Sequence, residues 1–145
     1  MKHGKVSFFN EGIDYSLSGK TKIKHWITGV VIAQEQIPGD INIIFCNDAY
    51  LSELNLSYLN HTMLTDIITF DYTADGIISG DIYISLERVK ENALLYSKTF
   101  RDELNRVMIH GVLHLLGNKD KKPQDKAIMR KKENECLALL VALVV

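Results

Sequence analysis

The chain has 145 residues, of which 46% are hydrophobic and 24% are charged, and its formal net charge is -1. This length and composition predict one globular domain, spanning residues 1–145, that is large enough to bury a single hydrophobic core. The near-zero net charge excludes the global positive field of a strongly cationic nucleic-acid-binding domain, so any nucleic-acid site has to be local.

Strand and helix signals alternate in the first part of the chain. A strand is expected around residues 6–9, and a helix over residues 21–36 that ends at the Pro38-Gly39 pair. The β-branched run 40–46 predicts a second strand. After it, the Asn47-Asp48 pair can cap a helix that extends to about residue 58.

The second part of the chain changes from strands to helices. Residues 65–72 and 80–85 predict two neighbouring antiparallel strands joined by a turn at 73–76. Beyond them the periodicity is helical, over residues 86–98, 100–116 and, after Pro123, 124–142. Strands mixed with helices, followed by helices alone, predict an α+β fold with about four strands.

The ends of the chain and its cysteines predict a cytoplasmic protein. The N-terminus lacks the apolar segment and cleavage site of a secretory signal. The nine apolar residues at 137–145 are too few for a membrane span, which needs about twenty, so we expect them in the core or on a partner-covered surface. Cys46 and Cys136 lack CxxC spacing, and we expect buried free thiols in a reducing compartment.

A pair of histidines carries the chemistry. His110 and His114 are four residues apart in the predicted helix 100–116, so both imidazoles project from one face. A catalytic zinc site takes three protein ligands and keeps the fourth position for water. Gly117 can end the helix in a left-handed conformation and turn the chain back, which makes Asp120 the anionic residue best placed as the third ligand.

Two alternatives stay open for this constellation. An HxxxH pair alone is more often two partly buried, hydrogen-bonded helix histidines than a metal site. Asp120 could also face solvent among Lys119, Lys121 and Lys122, with water or Asp125 completing the metal shell.

The string HGVLHLLG at 110–117 resembles the HGxLHLxG signature of the YbeY family of metal-dependent endoribonucleases, also called ribosomal RNA maturation factors. Leu54-Asn55, Tyr58 and the segments 65–70 and 80–85 are similar to further blocks of that family in the same order. The resemblance covers about residues 40–135. It implies a small α+β domain with a mixed sheet and a zincin-like metal-binding helix.

The resemblance also implies a function. The family's activity is cleavage of single-stranded ribosomal RNA, in small-subunit 3′ end processing and ribosome quality control. The implied cofactor is one zinc ion, or another divalent metal such as nickel, and the implied partners are ribosomal RNA and the small ribosomal subunit. In this chain a metal-bound water held by His110, His114 and Asp120 would attack the phosphodiester. The oligomeric state is left open.

Two positions depart from the family pattern. Asp120 stands where the family has a third histidine, which changes that ligand from nitrogen to oxygen; two histidines and one carboxylate are an accepted catalytic set. Leu59 stands where the family commonly has an arginine of its RNA-handling site. An alternative function is therefore a ribosome assembly or binding factor with a mainly structural metal and weak or no nuclease activity.

Other residues are candidates for supporting roles. Glu103, two turns before His110, is a candidate hydrogen-bond partner or proton carrier. Asp66 and Asp81 are candidates to line the cleft, with structural roles at the ends of strands as the alternative. A third function class, a metallohydrolase of peptides or small molecules, is weakened by Gly111, because a peptidase HExxH motif has its general base at that position.

Substrate phosphates require positive charge near the metal. Arg106, His61, Lys119 and Arg101 are the candidates by proximity in sequence. We expect a local positive patch of four residues, Arg106, Lys119, Lys121 and Lys122.

Overall fold

A computed structural model of the chain describes residues 4–59 and 65–144. Strands and helices follow one another in chain order as expected for an α+β protein. The elements are β1 (Val6–Asn10), α1 (Lys20–Ala33), β2 (Ile37–Cys46), α2 (Asp48–Leu54) with a π-helical turn (Asn55–Leu59), β3 (Ile67–Asp71), β4 (Ile77–Ser85), α3 (Leu86–Leu95), α4 (Phe100–Leu115) and α5 (Pro123–Ala142).

The four strands form one mixed sheet in the order β1-β2-β4-β3. β2 lies parallel to both β1 and β4, whereas β3 pairs with β4 in the antiparallel sense. The turn between β3 and β4 contains Asp75 and Gly76, whose φ angles of 55° and 75° suit a two-residue hairpin turn. The predicted α+β class with a small mixed sheet, and the predicted antiparallel strand pair, are confirmed.

Helices cover the two faces of the sheet unequally. The main core lies on one face, where side chains of α1, α4 and α5 pack against inward residues of the strands, among them Ile41, Ile43, Phe45, Ile82 and Ile84. On the other face α2 covers a smaller cluster built on Cys46, Leu51 and Ile68. α4 is therefore held between the sheet and α5.

The start of β2 differs from the sequence expectation. α1 ends at Ala33, because Glu35 takes a left-handed φ of 59° and reverses the chain. Ile37 and Pro38 then pair with Ile77 and Ile78 of β4, so the residues expected to stop the helix belong to a strand. Proline fits there because the ladder is irregular between Pro38 and Ile41. β4 likewise begins at Ile77, earlier than expected.

Both cysteines are buried free thiols. Burial, aided by nearby carboxylates, raises the pKa of Cys46 to about 12 and that of Cys136 to about 11, so neither thiol is ionised near neutral pH. The C-terminal apolar run is split between core and surface, since Leu140 is buried and Val141 is exposed. In the described part of the chain, we find no helix with the length and apolar character needed to span a membrane.

Gly111 sets the distance between α4 and the sheet. A Cβ atom at this position would lie 2.8 Å from Cγ2 of Ile82 and 3.0 Å from Cδ1 of Ile67. Real Cβ atoms do not approach other carbons that closely, so any larger residue would push α4 away from β3 and β4. The same contact disfavours a glutamate after His110, where a peptidase helix has one, because its Cβ would force Ile82 to shift.

We predict that Gly111→Ala lowers the free energy of unfolding by about 1–3 kcal/mol, because overpacking outweighs the higher helix propensity of alanine. Gly29 of α1 is the matched control, since a Cβ there meets no atom within 4 Å. Gly29→Ala should raise the stability by about 0.5–1 kcal/mol. Urea unfolding of both variants measures the difference, and equal or increased stability of Gly111→Ala would contradict the packing account.

Candidate metal centre

The two histidines are held by a well-anchored helix. The side chain of Thr99 caps α4 by accepting a hydrogen bond from the backbone N–H of Asp102 at 3.1 Å. The buried face of α4 includes Leu104, Met108 and Val112, which fix its rotation. His110 and His114 are left at the edge of this face, half-buried, with ring centroids 4.7 Å apart.

The chain turns back sharply after α4 and brings Asp120 to the histidines. Gly117 has a φ of 96° and donates its N–H to the carbonyl of His114, while the N–H of Asn118 reaches the carbonyl of Leu113. These two bonds form the Schellman pattern that ends many helices at glycine. The Asn118 side chain also accepts a 2.6 Å hydrogen bond from Lys132, which ties the turn to α5.

Asp120 contacts both imidazoles with one oxygen. Its Oδ2 lies 3.1 Å from Nε2 of His110 and 3.2 Å from Nε2 of His114. Burial alone would raise the pKa of Asp120, but His114 and His110 together hold it below its ordinary value. Asp120 is therefore an anion that faces two imidazole nitrogens, as a third ligand has to be.

The three side chains lie close enough together to hold one metal ion. Among the described residues, His110, His114 and Asp120 form the group whose ligand atoms all lie within 4.8 Å of one another. Ligands placed tetrahedrally around zinc at about 2.0–2.2 Å lie about 3.3 Å from each other, close to the two nitrogen–oxygen distances seen here. Asp125, the rival carboxylate, lies in the first turn of α5 and is not a member of this group.

Glu133 of α5 orients His110. Its Oε2 lies 2.7 Å from Nδ1 of His110, and its Oε1 accepts a 2.9 Å hydrogen bond from Arg106. Burial alone would raise the pKa of Glu133 and lower that of His110, but their mutual hydrogen bond reverses both shifts. A carboxylate on Nδ1 fixes the ring orientation and leaves Nε2 facing Asp120.

Glu103 lines the same cavity, but the carboxylate that hydrogen-bonds His110 is Glu133. The sequence contains a pattern that indicates a buried role for Glu133. It occupies the buried stripe of α5 with Met129, Cys136 and Leu140, where an unpaired charge would be costly. A glutamate on an apolar stripe therefore indicates a buried partner.

The histidines and Asp120 open onto a cavity of about 530 Å³. β3, α3, α4 and α5 supply its walls, and Asp66, Glu103 and Arg106 are among the lining residues. Burial raises the pKa of both Asp66 and Glu103, and their mutual proximity adds to this for Glu103. Asp81 instead accepts a hydrogen bond from Asn42 on the sheet and does not line this cavity.

The expected phosphate-binding residues are spread over several places. Arg106 lines the cavity but is paired with Glu133 and Asn134. Arg101 hydrogen-bonds Ser18, and Lys119, Lys121 and Lys122 are exposed and do not line the cavity. His61 lies outside the described residues. The other cationic side chains of the described residues that line the cavity are Lys126 and Arg130 of α5, which their distance from the histidines in sequence did not indicate.

This fold and this group of side chains define a class: small α+β proteins with two histidines on a core helix and a facing carboxylate suited to bind a metal ion. The profile of the family described as Endoribonuclease YbeY matches residues 10–141. The chain belongs to that family, which confirms the resemblance found in its motifs.

Relatives of known name support the assignment over the whole domain. The chain is 50% identical over 131 residues to the Endoribonuclease YbeY of Flavobacterium psychrophilum, covering 90% of this chain and 94% of the relative. It is 45% identical to that of Christiangramia forsetii, covering 96% of each chain. A solution structure of a Thermotoga maritima protein superposes with a TM-score of 0.66 at 25% identity, covering 93% of this chain and 88% of the other.

We predict that Glu133→Gln lowers the affinity of the protein for zinc by about 10–100-fold, because the amide holds the His110 ring with a weaker, uncharged hydrogen bond. Competition with a chromophoric chelator measures the affinity. Glu135→Gln is the matched control on the same helix, since Glu135 is exposed. Equal zinc affinity in the two variants would contradict the orienting role of Glu133.

Proposed function

We propose that this chain is a metal-dependent endoribonuclease that cleaves single-stranded ribosomal RNA, in small-subunit 3′ end processing and in ribosome quality control. One observation carries the proposal: His110, His114 and Asp120 converge at a cavity of about 530 Å³ in a chain of the Endoribonuclease YbeY family. Residues 1–145 act as one domain, in the cytoplasm, with ribosomal RNA and the small subunit as partners.

The metal we propose is one zinc ion, with another divalent metal such as nickel as the alternative. Two imidazoles and a carboxylate suit zinc and leave one tetrahedral position open. When bound there, the ion supplies Lewis acidity and lowers the pKa of a coordinated water to about 7. Nε2 of His110, Nε2 of His114 and Oδ2 of Asp120 would hold the ion, with Asp120 at the position of the family's third histidine.

Neighbouring side chains orient the proposed ligands and line the cavity beside them. Glu133 keeps the His110 ring oriented, and Arg106 holds Glu133 through a 2.9 Å ion pair. Glu103 is buried beside the cavity with a raised pKa, which suits the proton-carrier role that we assign to it. Asp66, with a pKa raised by burial, is a second carboxyl group of this kind.

The site argues for a nuclease over a peptidase. Peptidase helices of the HExxH type carry a general-base glutamate after the first histidine. Here that position is Gly111, where a Cβ atom would lie 2.8 Å from Cγ2 of Ile82. The curated relatives are named endoribonucleases, which supports RNA as the substrate.

A second candidate function is a ribosome assembly factor with a mainly structural metal. The observation that favours it is Leu59, which replaces an arginine of the family's RNA-handling site. RNA cleavage by the zinc-loaded protein, with and without chelator, separates the two functions. A nuclease loses cleavage when the metal is removed, whereas an assembly factor has no cleavage to lose and keeps its RNA binding.

We predict that Asp120→Ala loses zinc nearly as severely as His114→Ala, because each substitution removes one of only three protein ligands. Asp120→His should restore zinc binding, since it supplies a nitrogen ligand at the same position after the Gly117 turn. Metal stoichiometry of the purified variants is the measurement, accompanied by RNA cleavage.

Asp125→Ala is the control, because Asp125 is the other carboxylate near the start of α5. It should keep a full equivalent of zinc. Retention of zinc by Asp120→Ala together with its loss from Asp125→Ala would move the third ligand to Asp125 and contradict the proposed site.

A further inference from the structure

The cavity beside the histidines is rich in negative charge. Among the residues that the structure describes, four carboxylates line it: Asp66, Glu103, Asp120 and Glu133. An RNA phosphodiester is an anion and has to approach these groups, so its binding requires cations on the same wall. In the described ranges 4–59 and 65–144, three cationic side chains line the cavity: Arg106, Lys126 and Arg130.

Arg106 is already committed to protein contacts. Its guanidinium donates to Glu133 and to Asn134, both at 2.9 Å, and only 19% of its side chain is exposed. Moving it onto a phosphate would leave the buried Glu133 with a weaker partner. Arg106 therefore serves the histidine–carboxylate arrangement and is not available to bind substrate.

Lys126 and Arg130 are available. The ammonium group of Lys126 makes no hydrogen bond or ion pair with any residue that the structure describes. Arg130 has 59% of its side chain exposed and approaches Glu133 only at 3.7 Å. Both residues therefore line the cavity while their charged groups lack a close partner among the described residues.

Their placement on α5 makes them one binding unit. Residues four apart lie on the same face of a helix, so Lys126 and Arg130 are neighbours. Both also line a recess of about 260 Å³ together with His110, Asp120 and Glu133. Lys126 and Arg130 therefore share this recess with two of the three candidate metal ligands, His110 and Asp120.

We propose that Lys126 and Arg130 bind the backbone phosphates of the RNA strand next to the metal centre, a proposal that rests on the function proposed above. Arginine suits this role because its planar fork donates two parallel hydrogen bonds to a phosphate, and lysine adds a mobile point charge. Lys126 and Arg130 would supply positive charge that Leu59 lacks, at the position where the family commonly has an arginine.

The test measures binding of the zinc-loaded protein to a single-stranded phosphorothioate oligoribonucleotide, whose linkages resist hydrolysis, at several salt concentrations. Each phosphate contact to a single strand contributes about 0.7 to the slope of log affinity against log salt. The double variant Lys126→Ala/Arg130→Ala should reduce that slope by about 1.4 and weaken binding at least tenfold at about 0.1 M salt. Arg130→Lys alone should keep most of the slope.

The matched control is Lys121→Ala/Lys131→Ala, which removes the same charge from two exposed residues that do not line the cavity. We expect it to change the slope by less than half as much, and both double variants to retain one equivalent of zinc. An unchanged slope in Lys126→Ala/Arg130→Ala, or an equal loss in the two double variants, would overturn the proposal. The predicted binding difference in a protein that cleaves no RNA would support the phosphate site and contradict the proposed nuclease activity.

Discussion

The close packing of α4 on the sheet is the constraint on which the rest of the site depends. Gly111 lets the helix lie so close to Ile82 and Ile67 that a Cβ atom at this position would displace them. This contact holds the histidines on either side of Gly111 half-buried at the rim of the core, where His110 meets Glu133 of α5 and both rings meet Asp120. A peptidase helix of the HExxH type has its general-base glutamate at this position, and glycine has no side chain that could act as a base. One packing contact therefore positions the two histidines and restricts their chemistry.

The charged side chains around the histidines form a network that runs from a buried end to a more exposed end. At the buried end, Glu133 is neutralised by Arg106 and holds His110. At the more open end, Asp120 faces both imidazoles with one oxygen. A buried charge that loses its partner strongly destabilises the folded protein. Glu133 is therefore held in place by its contacts with Arg106 and His110. A rigid inner end and an accessible outer end suit a site that must bind an ion firmly and still admit a substrate.

Local signals in the sequence were enough to predict most of this arrangement. The four-residue spacing of His110 and His114 places them on one helix face, and the glycine at 117 turns the chain so that Asp120 returns to them. Both predictions depend on contacts within about ten residues. The strand pair joined at 73–76 was predictable for the same reason, since its turn chemistry is local.

What the sequence left unpredicted depends on contacts between distant segments. Glu133 reaches His110 only because α5 packs across α4, and the same packing brings Lys126 and Arg130 to the cavity while the lysines at 119, 121 and 122 stay outside it. β2 starts early because Ile37 pairs with Ile77, forty residues away in the sequence. Local sequence patterns do not specify such long-range pairings. For the same reason, the lysines close to the histidines in sequence did not indicate which cations line the cavity.

The central claim is that His110, His114 and Asp120 bind one metal ion together. A crystal structure of the zinc-loaded protein with anomalous diffraction at the zinc edge tests it most directly. The account predicts a single strong anomalous peak about 2.0–2.2 Å from Nε2 of both histidines and from a carboxylate oxygen of Asp120, with no further protein ligand. A peak held by other side chains, or a fully loaded protein in which Asp120 points away from the ion, would contradict it.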